Sequence, residues 1–181
     1  MKKTFLLEIS ERIMCNLPNM EQMYFYTEDD EESELILEGW SLTKKKEETG
    51  DLLKDFIYAF DASNFGIGNF IFYEEIEITN NHFIFGELDH MKLCLLKKDN
   101  SIVLLKADEY LLTNYKSEEI EFICAENFEK FLIFLVDYFQ YITQLFTNQN
   151  FTLEDKKVIK EHSSMILGLN SKEFVEYMYN F

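Results

Sequence analysis

Phe70-Ile71-Phe72-Tyr73-Glu74-Glu75-Ile76-Glu77-Ile78, then Asn80-Asn81, then His82-Phe83-Ile84-Phe85-Gly86 is the stretch that decides the fold. In Glu75-Ile76-Glu77-Ile78 polar and apolar residues alternate strictly, the period of a strand with one wet face. Asn80-Asn81 is turn chemistry. Two more strand-like runs follow at 91–96 and 102–105, joined by the short polar link Lys97-Lys98-Asp99-Asn100-Ser101, which predicts a hairpin. A further short strand around 121–123 is expected to complete the sheet. Neighbouring strands with links this short predict an antiparallel meander of about four to six strands rather than a βαβ order.

Working outward, the periodicity changes from two to between three and four. Phe128, Phe131, Leu132, Leu135, Tyr138, Phe139 and Ile142 define an apolar helical stripe. Thr152 and Asp155 have capping-box spacing for a helix running to Ile166, and Gly168 suits its C-terminal cap. Ser171 is placed to cap a last short helix carrying Phe174 and Met178. N-terminal to the strand region, Phe5, Leu6, Ile9, Ile13 and Leu17 are helically spaced, and Asn16-Leu17-Pro18 stops that helix. The runs 23–26 and 35–37 read as two short strands. Between them, Glu28-Asp29-Asp30-Glu31-Glu32-Ser33-Glu34 reads as a solvated loop. Lys44-Lys45-Lys46-Glu47-Glu48-Thr49-Gly50 is likewise looped, and Leu52, Leu53, Phe56, Ile57 and Phe60 return to a helical period. Strands followed by helices give an α+β fold: one domain over 1–181, an antiparallel sheet flanked by N-terminal and C-terminal helices, the latter at about 125–180.

Composition narrows the function. The chain has 181 residues, 47% of them hydrophobic and 16% aromatic, enough for a true core. Lys+Arg is 17 against Asp+Glu 34, a net charge of −17. That sign is wrong for gripping nucleic-acid phosphates or anionic lipid. Cys15, Cys94 and Cys124 are odd in number and lack CxxC spacing, which argues against a disulfide framework and against zinc. The opening Lys2-Lys3-Thr4-Phe5-Leu6-Leu7 imitates a signal peptide, but Glu8, Glu11 and Arg12 interrupt it. The apolar run 131–136 is far short of a membrane span. A soluble chain in a reducing cytoplasm is expected.

Catalytic chemistry finds little to stand on. Glu87-Leu88-Asp89-His90 places carboxylates beside an imidazole, as a metal site or an acid–base pair would. No second His or Cys arrives at ligand spacing, so a turn between strands explains the cluster better. His82 and His162 have no partners that spacing identifies. Cys94 and Cys124 sit among apolar residues as inert buried thiols. Gly66-Ile67-Gly68 lacks the rest of any phosphate-binding loop, and no nucleophile elbow occurs. No catalytic residue, metal or cofactor is expected. Tyr24, Phe25, Tyr26, Phe70, Phe72 and Tyr73 cluster near acids; most should fill the core, and some are candidates for a partner-binding surface.

From 82 to 139 the order of features resembles a known family. His82-Phe83-Ile84-Phe85-Gly86-Glu87 precedes Lys92-Leu93-Cys94-Leu95, a polar turn, and Ile102-Val103-Leu104-Leu105; after an acidic spacer comes Ala125-Glu126-Asn127-Phe128-Glu129-Lys130-Phe131-Leu132. This is similar to the SUKH superfamily of bacterial immunity proteins, in which a strand ends in Gly, a hairpin follows, and Ala-x-Ser/Asn-Phe-x-x-Phe-Leu opens a helix. Asn16-Leu17-Pro18 resembles that family's Gly-Leu-Pro with Asn in place of Gly, and Asn100-Ser101 stands where Thr-Gly is frequent. The resemblance implies a non-catalytic, cytoplasmic antitoxin that binds a basic toxin domain, in many members a nuclease. The surplus negative charge agrees with such a partner. Asp29, Asp30, Glu31, Glu32, Glu87 and Asp89 are the candidate docking residues. The alternative is a regulatory or scaffold module of the same fold with another protein partner, since the motifs are turns, caps and core positions and none is a reactive group.

Overall fold

The computed structural model describes residues 4–27, 29–106, 120–147 and 150–180, without the side chains at 24–26 and 30. Three helices come first: α1 (Phe5–Cys15), α2 (Met20–Thr27) and α3 (Asp30–Gly39). A one-turn α4 (Leu52–Lys54) continues as a π-helical turn (Asp55–Ala59), and a 3₁₀ turn (Ala62–Asn64) leads to the sheet. The sheet is β1 (Phe70–Ile78), β2 (His82–Leu88), β3 (Met91–Leu96), β4 (Ile102–Leu105) and β5 (Ile120–Ala125). Three helices close the described chain: α5 (Phe128–Thr147), α6 (Leu153–Leu167) and α7 (Lys172–Tyr179). The fold is α+β, and the strands pair antiparallel in sequence order β1-β2-β3-β4-β5, a meander as the short links require.

One face of the sheet carries the main core. Phe85 of β2 meets Phe128 and Phe131 of α5 edge-on at 5.4 and 6.1 Å between ring centroids, and Phe70 of β1 meets Phe131 at 6.0 Å. Such edge-to-face pairs add to the burial of large apolar area. Leu6, Ile9 and Ile13 of α1 join the same core, and Phe174, Val175 and Met178 of α7 close it near β5. The opposite face holds a smaller buried cluster of Ile84, Cys94, Leu96, Val103 and Leu105, to which none of the described helices contributes.

At Gly86 the backbone of β1 lies close against β2. A Cβ there would lie 2.5 Å from the Ile71 carbonyl oxygen, so only glycine fits. Next to it the β1–β2 register jumps between Phe72 and Glu77. Tyr58 accepts a hydrogen bond from the freed Ile76 N–H at 3.1 Å, which leaves that bulge amide satisfied.

Residues 23–26 and 35–37 are helical, not strands, and Asp30 to Glu34 form the first turns of α3 rather than a loop. Local capping explains the difference. Asn19 and Gln22 satisfy each other's backbone N–H groups at 2.9 and 2.8 Å, which starts α2. Asp29 is the N-cap of α3, its Oδ1 accepting the Glu32 N–H at 2.9 Å, and the acids that follow stand at the positive end of the helix dipole. Thr152 and Asp155 do form a full capping box. Ser171 holds the N-cap position of α7, yet its hydroxyl donates back to the Leu167 carbonyl at 3.4 Å instead of capping.

Candidate partner-binding surface

The expected docking acids fall on two separate elements. Asp29, Glu31 and Glu32 are exposed at the start of α3; the side chain of Asp30 lies outside the described ones. Glu87 and Asp89 stand at the β2–β3 turn, where they line a shallow groove of about 350 Å³ with Gly68, Asn69, Ile71 and His90.

The turn acids are engaged within the chain. Asp89 and His90 are the two turn residues, with φ of 48° and 68°, left-handed backbone that non-glycine residues adopt at a cost. Asp89 is fixed by Asn69 Nδ2 at 2.6 Å and by the Tyr177 hydroxyl, and burial beside that carboxylate pushes the Tyr177 phenol up to about 12. Glu87 accepts from the Tyr73 hydroxyl at 2.9 Å and pairs across the strands with Lys92 at 3.2 Å. The Tyr73 hydrogen bond holds the Glu87 carboxyl below the usual carboxylate range against the opposing effect of burial, with Lys92 assisting. Both carboxylates therefore organise the turn, and His90 and Ile71 are what it exposes.

On α3 the balance is different. From Asp29 to Gly39 there are six acids and no Lys or Arg, and among the described residues none of these carboxylates is ion-paired. Capping and the helix dipole account for those in the first turn. They do not account for Glu34 and Glu38, which are not among the docking acids expected from sequence and which share the solvent face with Glu31 and the exposed Leu35. The i, i+3, i+4, i+7 spacing of these four is the sequence signal of this face, masked by an acid run that reads as a loop. On β1, an edge strand, Glu74, Glu75 and Glu77 add three more exposed carboxylates.

Among the described residues, two buried carboxylates lie elsewhere. Asp55, in the π-helical turn, accepts from Thr49 N at 2.6 Å, Thr49 Oγ1 at 2.8 Å and Gly50 N at 2.8 Å. Burial alone would raise its pKa, but these donors outweigh it and hold the carboxyl below its ordinary value. Asp137, 4% exposed on α5, lies 2.7 Å from His162 Nδ1 and 3.3 Å from Ser163 Oγ, with Arg12 at 4.0 Å. His162 thus has the partner that spacing did not identify. Its neighbour Ser163 bonds to Asp137 and to Tyr179, so no serine–histidine pair is formed.

Among the described residues no three His, Cys, Asp or Glu converge to hold a metal ion, and no helix is long and apolar enough to cross a membrane. Burial pushes the Cys94 thiol up to about 12 and raises that of Cys124 well above its ordinary value, the reverse of what a nucleophile needs. Phe70 and Phe72 are core, and Tyr73 belongs to the Glu87–Lys92 network; the side chains at 24–26 lie outside the described ones. No family model, no curated protein and no solved structure matches the chain.

Proposed function

We propose that this chain is a non-catalytic immunity protein of the SUKH kind that binds and neutralises a basic toxin domain, a nuclease in the first instance. The observation that carries the reading is the uncompensated charge of α3, six acids over 29–39 with no Lys or Arg, in a chain of net charge −17. A nuclease must be cationic where it holds phosphates. An acidic face steers encounter with such a surface, at rates orders of magnitude above an unsteered docking. The sequence features of 82–139 supply the family side of the proposal, and the five-stranded meander with helices before and after it along the chain is compatible with it.

The test is protection of growth. Cells expressing the product of the gene adjacent to this chain's, the candidate toxin, should survive when the chain is co-expressed and die when it is omitted. Death in both cases would reject the proposal, and rescue by a chain without measurable binding to the toxin would reject the mechanism.

A further inference from the structure

We propose that the groove beside the β2–β3 turn is a socket for one arginine side chain of a protein partner. The inference rests on the partner-binding reading above and gives that partner an anchor point on the sheet, apart from the charge of α3.

Two independent observations meet at this groove. The first is a carboxylate that nothing neutralises. Asp89 takes its hydrogen bonds from neutral donors, Asn69 Nδ2 and the Tyr177 hydroxyl, and among the described residues no cation pairs with it. Glu87 is paired, but through Oε2, where Tyr73 and Lys92 both attach; its Oε1 has no partner among the described residues. Asn69 turns its amide nitrogen to Asp89, which leaves its Oδ1 open. Each of these lining side chains keeps acceptor capacity.

The second is a buried hydroxyl without a partner. Tyr138 of α5 is 6% exposed and its ring packs against Phe70, Phe134, Tyr141 and Tyr179, yet among the described residues its Oη makes no hydrogen bond. A buried polar group left unpaired lowers stability and calls for an explanation. Tyr138 Oη stands 3.0 Å from where a Cβ at Gly68 would lie, and Gly68 lines the groove with a φ of 55°. Any side chain there would cover the phenol; glycine leaves it uncovered. Burial, then Tyr141 and Asp89, push the phenol up to about 12, so its oxygen stays a neutral acceptor.

The groove therefore offers acceptors around one net negative charge, with the half-exposed Ile71 as an apolar wall. A guanidinium matches that set: a planar cation with five N–H donors and no acceptor, weakly hydrated, on an alkyl stem that Ile71 can cover. Asn69 and Tyr177 already hold the Asp89 carboxylate in place, so pairing costs little further ordering. The chain's own arginine does not supply the occupant. Its one arginine, Arg12, already lies 4.0 Å from Asp137, so a second copy has none to give.

The probe is N-acetyl-arginine methylamide, titrated into the isotope-labelled full chain, with the lysine and citrulline analogues as controls. The titration is run at pH 8, above the ordinary range of histidine, whose cation would compete. The arginine probe should shift amide signals at 68–71 and 87–90 with a dissociation constant on the order of 10 mM or below, and bind roughly fivefold tighter than either control. Asp89→Asn keeps the shape and should weaken it roughly tenfold; Tyr138→Phe should weaken it roughly threefold. Tyr138→Phe should not lower the melting temperature, since it deletes a hydroxyl without a partner; a lower one would place that hydroxyl in the fold's own bonding and overturn the socket. No shift at these positions at about 50 mM probe, controls that bind equally, or unchanged affinity in either variant would also overturn it. So would free arginine binding more than about tenfold tighter than the capped residue, because the occupant would then be the amino acid and not a protein segment. A toxin domain that binds both variants as tightly as wild type would overturn the socket and leave the immunity reading standing. Arginine-probe binding at the groove in a chain that binds no toxin would uphold the socket and reject the immunity reading.

Discussion

Replacing Asp55 by Ala should destabilise the protein by about 2–4 kcal/mol at pH 7. The carboxylate is 2% exposed and accepts three hydrogen bonds, from Thr49 N, Thr49 Oγ1 and Gly50 N. Hydrogen bonds to a charged acceptor contribute about 1.5–3 kcal/mol each, but the donors lie on an exposed loop that water can reach in the variant, so the sum is discounted. The isosteric Asp55→Asn keeps the shape, turns an amide N–H₂ toward backbone donors, and should cost about 1–3 kcal/mol. The folded-state pKa of Asp55 is held below its unfolded value, so its contribution is fully present above the unfolded pKa of about 4 and is lost as pH falls through the folded value. Urea melts of wild type and Asp55→Asn between pH 7 and pH 3 measure this directly. The gap between the two proteins should be widest at neutral pH and narrow toward acid. A gap below about 0.5 kcal/mol at pH 7, or one that stays constant down to pH 3, would refute a stabilising role for the hydrogen bonds of Asp55 to Thr49 and Gly50.

Three further outcomes are expected from stability measurements. Phe131→Ala, at a fully buried ring in contact with Phe70, Phe85 and Phe128, should cost about 3–5 kcal/mol in a denaturant melt, and a loss under 1 kcal/mol would show that α5 does not cover the sheet through this residue. Gly86→Ala should cost more than about 2 kcal/mol, since its Cβ would press on the Ile71 carbonyl and part β1 from β2; an unchanged melting temperature would contradict that close approach. Glu38→Arg should stabilise by about 0.3–1 kcal/mol by placing a cation at the C-terminal end of α3, and a loss of stability would mean that Glu38 has a structural partner.

The sheet and the C-terminal helices were legible because their signals are local and repeated: alternation at 75–78, turn residues at 80–81 and 97–101, and a stripe of seven apolar residues at helical spacing along α5. The segment 20–39 misled for an equally physical reason. Runs of three or four apolar residues are strand-length, and six acids in seven positions look unable to pack. A helix start tolerates such a run, because Asp29 caps it and the dipole favours the charges behind it. Of the candidate surface, the identity of the acids was readable and their employment was not. Nothing local reveals that Glu87 answers to Tyr73 and Lys92, that Asp89 is held by Asn69 and Tyr177, or that Asp137 finds His162 across two helices. Those partners are set by tertiary approach. Glu34, Leu35 and Glu38 become a face only once α3 is known to be a helix.

The measurement that bears most directly on the central claim is the association rate between this chain and the partner proposed for it, a basic toxin domain, at about 0.05 and 0.5 M salt. It compares wild type with the variant carrying Asp29→Asn, Asp30→Asn, Glu31→Gln and Glu32→Gln. Asn is itself a good N-cap, so α3 should persist in the variant. Steering by the acidic helix predicts that wild-type association slows roughly tenfold or more over this range, that the variant associates more slowly at low salt with a shallower salt dependence, and that dissociation changes little. No complex at about 10 μM, well above the range of specific interfaces, or association rates identical in both proteins at both salts, would contradict the account.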